Sequence, residues 1–173
     1  MVKDPRPVSA FRAPFRLRRT SADGYSFVEM LVVATIVLIL ASAVMPLVKV
    51  SMQRQKEIEL RRALRELRTG IDGFKDAADL QMIAASDIKA GSEGYPENLE
   101  ILVEGVNPVG DATGRKLKFL RRIPMDPVTG STEWGMRSYQ DKADSTSWGG
   151  QNVFDVYTKS EGKALDGTKY RDW

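Results

Sequence analysis

Nineteen residues from Met30 to Val48 are apolar except for Thr35, Ser42 and Pro46. Counted from Tyr25, the stretch is 24 residues long. As a helix rising ~1.5 Å per residue it reaches about 36 Å, enough to cross a hydrocarbon core. The pattern then changes without a break. Leu60, Leu64, Leu67, Ile71, Phe74 and Ala78 step by four, three, four, three and four, which keeps them on one face of a helix. Arg54, Arg61, Arg65, Arg68, Glu57 and Glu66 fill much of the rest. One helix is therefore predicted from about Tyr25 to about Ala84, apolar all round in its first half and amphipathic in its second. Gly70 and Gly73 weaken the second half, and Pro46 should bend the first.

The remaining chain reads as a small head. Pro96–Val103 is predicted as a short helix with proline in its first turn. Asn107–Gly114 reads as a loop and Pro124–Gly130 as a turn. Trp134–Tyr139 and Val153–Thr158 are candidate strands. In the second, Phe154, Val156 and Thr158 share one face, and Val153, Asp155 and Tyr157 the other. A head of this size buries little by itself, so the amphipathic helix should supply the other wall. The expected fold is α+β, one long helix against a small antiparallel sheet.

Composition narrows the chemistry. The chain has neither cysteine nor histidine. Disulfides, thiolate catalysis and zinc–sulfur sites are excluded, and so are the commonest general base and metal ligand. No acid–base pair emerges, and an enzyme is not expected. Ala90-Gly91-Ser92-Glu93-Gly94 is one residue short of a nucleophile elbow and lacks a histidine partner.

Charge is unevenly placed. Residues 1–24 carry six basic side chains against Asp4 and Asp23, a net of +4. The other residues carry 20 basic and 21 acidic side chains. A proline- and arginine-rich leader directly before an apolar span fits the positive-inside rule, with the leader in the cytoplasm. Arg115, Lys116, Lys118, Arg121 and Arg122 form a second basic cluster. It suits either a neighbouring subunit's acidic patch or a solvated face. It lacks interleaved aromatic residues, so nucleic acid is not expected as a partner.

Glu29, near the start of the apolar run, is the costly residue. A carboxylate at the centre of a membrane helix costs on the order of 2.5–3.5 kcal/mol, less near an end. Either Glu29 snorkels to the interface, or it meets a cation. Cleavage after Gly24 would create one, the α-amino group of Tyr25, in the same chain or a neighbour. Gly24 presents no side chain to a protease; alternatively it is a hinge.

Gly24-Tyr25-Ser26-Phe27-Val28-Glu29-Met30, the apolar run and Pro46 resemble the class III signal of type IV pilins and type II secretion pseudopilins. One departure is Tyr25, where that signal more often has Phe or Met. Tyr95–Leu99, Ile123–Pro127, Phe154–Tyr157, the glycine-rich acidic tail and Trp173 look like the corresponding stretches of the major, G-type pseudopilins. The resemblance covers residues 18–50 and 95–173.

It implies a type IV pilin-like fold with a cleaved leader over 1–24 and a transmembrane, filament-core helix over 25–48. The amphipathic half would span 49–90 and a periplasmic head 91–173. It also implies a structural subunit: cut between Gly24 and Tyr25 by a prepilin peptidase that methylates Tyr25, with Glu29 as assembly residue and Pro46 as helix bend. The subunit would sit in the inner membrane and polymerise with itself to drive protein secretion. Its partners would be minor pseudopilins, an inner-membrane assembly platform and the lipid bilayer. Calcium in the C-terminal loop is implied too, with Asp166 and Asp172 as ligands beside Asp155 and Glu161. The opposing reading pairs these carboxylates with Lys163, Lys169 and Arg171. Two alternatives stay open: a type IV pilin for adhesion or motility, and a periplasmic protein released by cleavage after Ala43, where Ala41-Ser42-Ala43 fits a small-x-small site.

Overall fold

Helix α1 runs from Phe27 to Asp79 and is followed by α2 (Glu100–Glu104), β1 (Gly135–Arg137) and β2 (Asp155–Tyr157). Short 3-10 turns lie at Ala85–Asp87 and Tyr170–Asp172. The computed structural model describes residues 24–110 and 114–173, without the side chains of Ala43, Met45 and Pro46. The expected leader, apart from Gly24, thus lies outside the described residues, as does part of the loop expected at Asn107–Gly114. Pro46 sits within the span of α1, but its side chain, on which the expected bend rests, is not among those described.

The chain divides into two units, one ending at Ala43 and one from Val44 to Trp173. In the first, every described side chain from Phe27 to Ser42 is exposed, with Phe27 at 78% and Leu38 at 70%. α1 is long and apolar enough to cross a membrane.

In the second unit the predicted stripe is the floor of the core. Leu60, Leu64, Leu67, Ile71 and Phe74 are all buried. Leu102 of α2, Trp134, Val153 and Val156 pack over them. The fold is α+β, a long N-terminal helix with a two-stranded antiparallel sheet.

α1 ends five residues before the predicted stop. Met82 N–H donates to the Ala77 carbonyl at 2.9 Å and Gln81 N–H to the Ala78 carbonyl at 3.0 Å. With Gln81 at φ 55°, this is a Schellman closure. The left-handed residue is not glycine, so no breaker marks the site. α2 also starts later than predicted. Pro96 precedes it, buried, with its carbonyl accepting from Val153 N–H at 2.8 Å. Asn98 Oδ1 caps the helix by accepting from Ile101 N–H at 3.0 Å.

The two strands fall inside their predicted stretches, paired Gly135 to Tyr157, Met136 to Val156 and Arg137 to Asp155. The predicted alternation along the second strand does not separate core from solvent: Val153, Val156, Tyr157 and Thr158 are all buried. Both faces are covered, one by the core and one by the 138–150 loop, where Tyr157 Oη donates to the Thr146 carbonyl at 2.9 Å.

The two helix glycines differ. A Cβ on Gly70 would stand 2.9 Å from Leu120 Cγ, whereas one on Gly73 would meet Phe119 at 3.5 Å. Alanine gains about 1 kcal/mol of helix propensity at either site, while overpacking costs roughly 1–3 kcal/mol. Gly70→Ala should therefore lower the unfolding temperature of the head and Gly73→Ala should raise it. Tryptophan fluorescence reads the head alone, because all three tryptophans lie between residues 134 and 173.

Candidate functional site

The first candidate site is the start of α1. Gly24, Tyr25 and Ser26 precede the helix, and Tyr25 is 73% exposed. Among the described residues no atom lies within 4 Å of where a Gly24 Cβ would be. The Ser26 carbonyl accepts the first helical hydrogen bond, from Met30 N–H at 3.1 Å. Ser26 is thus the residue that opens the helix, and Glu29 lies in the first turn. There the unpaired N–H groups and the helix dipole favour a negative charge.

Ser26-Phe27-Val28-Glu29 also has the spacing of a capping box. This local signal bears on Glu29 independently of any cation: the carboxylate favours the helix start where it stands. Among the described residues neither side chain makes a hydrogen bond, and Glu29 forms no ion pair. Its carboxylate is exposed.

The second candidate is the C-terminal loop. The structure brings it onto α1 through Glu57, one of the polar residues beside the apolar stripe, and through Gln53, one turn before it. Glu57 Oε1 accepts from Tyr170 Oη at 3.0 Å and from Leu165 N–H at 2.8 Å. Gln53 Nε2 donates to the Lys163 carbonyl and to Tyr170 Oη, both at 3.1 Å. Burial pushes the Tyr170 phenol up from its ordinary pKa. The partners are more than a hundred residues apart, which is why no local motif announced them. A polar pair at i and i+4 on α1 was the only trace.

The four carboxylates proposed for calcium are placed as follows. Asp155 accepts from Arg68 Nε at 2.7 Å and faces Arg137 Nη1 at 3.3 Å. Asp166 Oδ1 accepts from Thr168 Oγ1 at 2.6 Å and Thr168 N–H at 2.9 Å, with Arg61 at 3.8 Å. Asp172 lies 3.8 Å from Arg171, and Glu161 is exposed. Among the described residues no three acidic side chains gather into a cation cage. Calcium requires about six to eight oxygens, and this arrangement does not fit it. The pairing cations are chiefly arginines of α1 and β1, and of the three cations expected only Arg171 takes part. A calcium-dependent rise in the unfolding temperature, with magnesium as control, would show that the loop rearranges around the ion.

Arg68 is the hinge pin of this corner. Besides Asp155 it donates to the Val156 carbonyl at 3.2 Å and the Trp173 carbonyl at 2.6 Å. Arg61 stacks on the Trp173 ring at 4.1 Å. The second basic cluster, Arg115 to Arg122, presents five exposed cations, while Leu117, Phe119 and Leu120 turn toward the core. Ser92 is buried in a turn whose neighbours Gly91, Glu93 and Gly94 have positive φ. Among the described residues its hydroxyl has no hydrogen-bond partner.

Comparisons of the chain with protein-family models, with curated proteins and with solved structures find no match.

The Thr168 hydroxyl and N–H, and more weakly Arg61, hold the Asp166 carboxyl below the usual carboxylate range. A carboxyl lowered on folding adds stability above its unfolded pKa, and that stability is lost as pH falls through the folded value. The head should therefore lose stability below about pH 4. Asp166→Asn should flatten part of that fall, leaving the contributions of Asp87 and Asp141, whose carboxyls are also lowered. Thermal unfolding followed at several pH values checks this.

Proposed function

We propose that this chain is a structural subunit of a type II secretion pseudopilus, anchored in the inner membrane with its head in the periplasm. The observation that carries the reading is the apolar surface of α1. Its side chains between Phe27 and Ser42 are exposed, and a patch of that extent requires lipid or other chains to cover it. A span that serves both as membrane anchor and as filament core meets that requirement twice. Moving from lipid to neighbouring helices has little hydrophobic cost, which suits reversible assembly.

The Gly24–Glu29 motif supports the processing step. Cleavage between Gly24 and Tyr25 gives Tyr25 an α-amino group close to the Glu29 carboxylate in sequence. Glu29 then has two tasks, favouring the helix start and pairing with an amine in a neighbouring subunit. By the resemblance, a membrane peptidase cuts and methylates Tyr25, and an assembly platform and minor pseudopilins are further partners. The reading requires no enzymatic activity of the chain itself.

Mass spectrometry of the mature protein should find a methylated Tyr25 at its N-terminus; a terminus at Val44 would overturn the proposal. Two substitutions separate the tasks of Glu29. Glu29→Gln keeps a side chain that serves a capping box but removes the charge. It should insert and be cleaved, yet assemble as poorly as Glu29→Ala. Filament yield in the Gln variant equal to that of the unaltered chain would show that Glu29 acts only in starting the helix. Loss of secreted enzymes on gene deletion, with surface pili unaffected, distinguishes a pseudopilus from a type IV pilus.

A further inference from the structure

The amphipathic half of α1 carries a second stripe beside the buried one. Arg61, Arg65 and Arg68 lie on it, followed by Asp72, Asp76 and Asp79. Each arginine has an aspartate eleven residues further on. Eleven residues are three helical turns to within about 20°, so all six side chains share a face. That face looks outward: five of the six are exposed, and Arg68 is half-buried. Arg61, Arg65, Arg68 and Asp72 line one shallow groove with Trp173. Among the described residues Arg65, Asp72 and Asp76 have no ion-pair partner. Arg61 has only its contact with Asp166 at 3.8 Å.

We infer that this stripe is a register between copies of the chain. The cationic stretch of one copy meets the anionic stretch of a parallel neighbour displaced by eleven residues, about 16 Å along the helix. Copies anchored in one membrane by the same apolar span run parallel. At equal height they would set arginine against arginine and aspartate against aspartate, which is repulsive. A slip of eleven residues sets Arg61 against Asp72 and Arg65 against Asp76, while the third pair, Arg68 and Asp79, is already engaged within the chain by Asp155 and Lys75. The contact pairs one stretch of the face with a different stretch of the same face on the partner, so it is head-to-tail and not self-complementary. Its electrostatics act mainly on partner choice and alignment. This inference rests on the self-assembly proposed above and adds the stagger.

The absence of cysteine from the chain makes the test clean. Full-length Arg65→Cys and Asp76→Cys copies are co-expressed in the membrane and oxidised, and disulfide-linked dimers are read on gels. Thr69→Cys alone is the register control, since Thr69 is exposed midway along the stripe. Ile36→Cys, on the exposed apolar segment, reports assembly by itself. The expected result is a mixed Arg65→Cys/Asp76→Cys dimer that neither variant gives alone, with little dimer from Thr69→Cys. A Thr69→Cys yield equal to the mixed yield would mean level or antiparallel copies and would overturn the stagger. Dimers through Ile36→Cys without the mixed dimer would overturn it while leaving assembly standing. No dimer from any variant would overturn both.

Discussion

Leu60, Leu64, Leu67, Ile71 and Phe74 present one apolar row on a helix, and the second unit is organised around it. The sheet has two strands of three residues each, and a pair that short does not hold together alone. α2, the sheet and the C-terminal loop each contribute side chains that meet the row, and Arg68, Gln53 and Glu57 tie the loop ends down around it. Gly70 belongs to the same constraint. The absence of a side chain there lets Leu120 close on the helix, so a residue that weakens the helix locally strengthens the core.

The same helix leaves its other apolar surface open. In the first unit the side chains from Phe27 to Ser42 have no cover among the described residues. Burial of one row and exposure of another place two different demands on one element. The buried row needs partners far along the same sequence. The exposed surface needs partners outside it. Lipid and neighbouring helices are the two surroundings that satisfy it, and the proposed function is the one in which both are used in turn.

The head's polar contacts follow from how the loops close. Carboxylates that seem available along the tail are committed once the chain folds: Asp155 to Arg68 and Arg137, and Asp166 to Thr168 and Arg61. Asp126 is fully buried and accepts from Val128 N–H and from the Thr158 hydroxyl, holding the 124–130 turn against β2. A carboxylate engaged in this way has few lone pairs to offer a metal ion. Arg65, Asp72 and Asp76 of α1 are different: among the described residues they have no ion-pair partner, and the proposed register supplies one from another copy.

Periodicity determined the long helix, its change from apolar to amphipathic, its buried row and the approximate place of both strands. These are legible because a period of 3.6 or 2 in hydrophobicity is a direct projection of which face meets the core. The Gly24–Glu29 motif and the charge stripe are legible for the same reason, each being a local spacing. What the sequence did not determine depends on contacts distant along the chain. α1 stops at Asp79 through a turn at Gln81 that glycine does not mark. α2 begins after Pro96 because the Pro96 carbonyl is taken by Val153. Glu57 holds a tyrosine 113 residues away, and the tail carboxylates face arginines in place of one another. Those pairings are set by which surfaces the folded chain brings within about 3 Å, the reach of a hydrogen bond, and only the tertiary structure decides them.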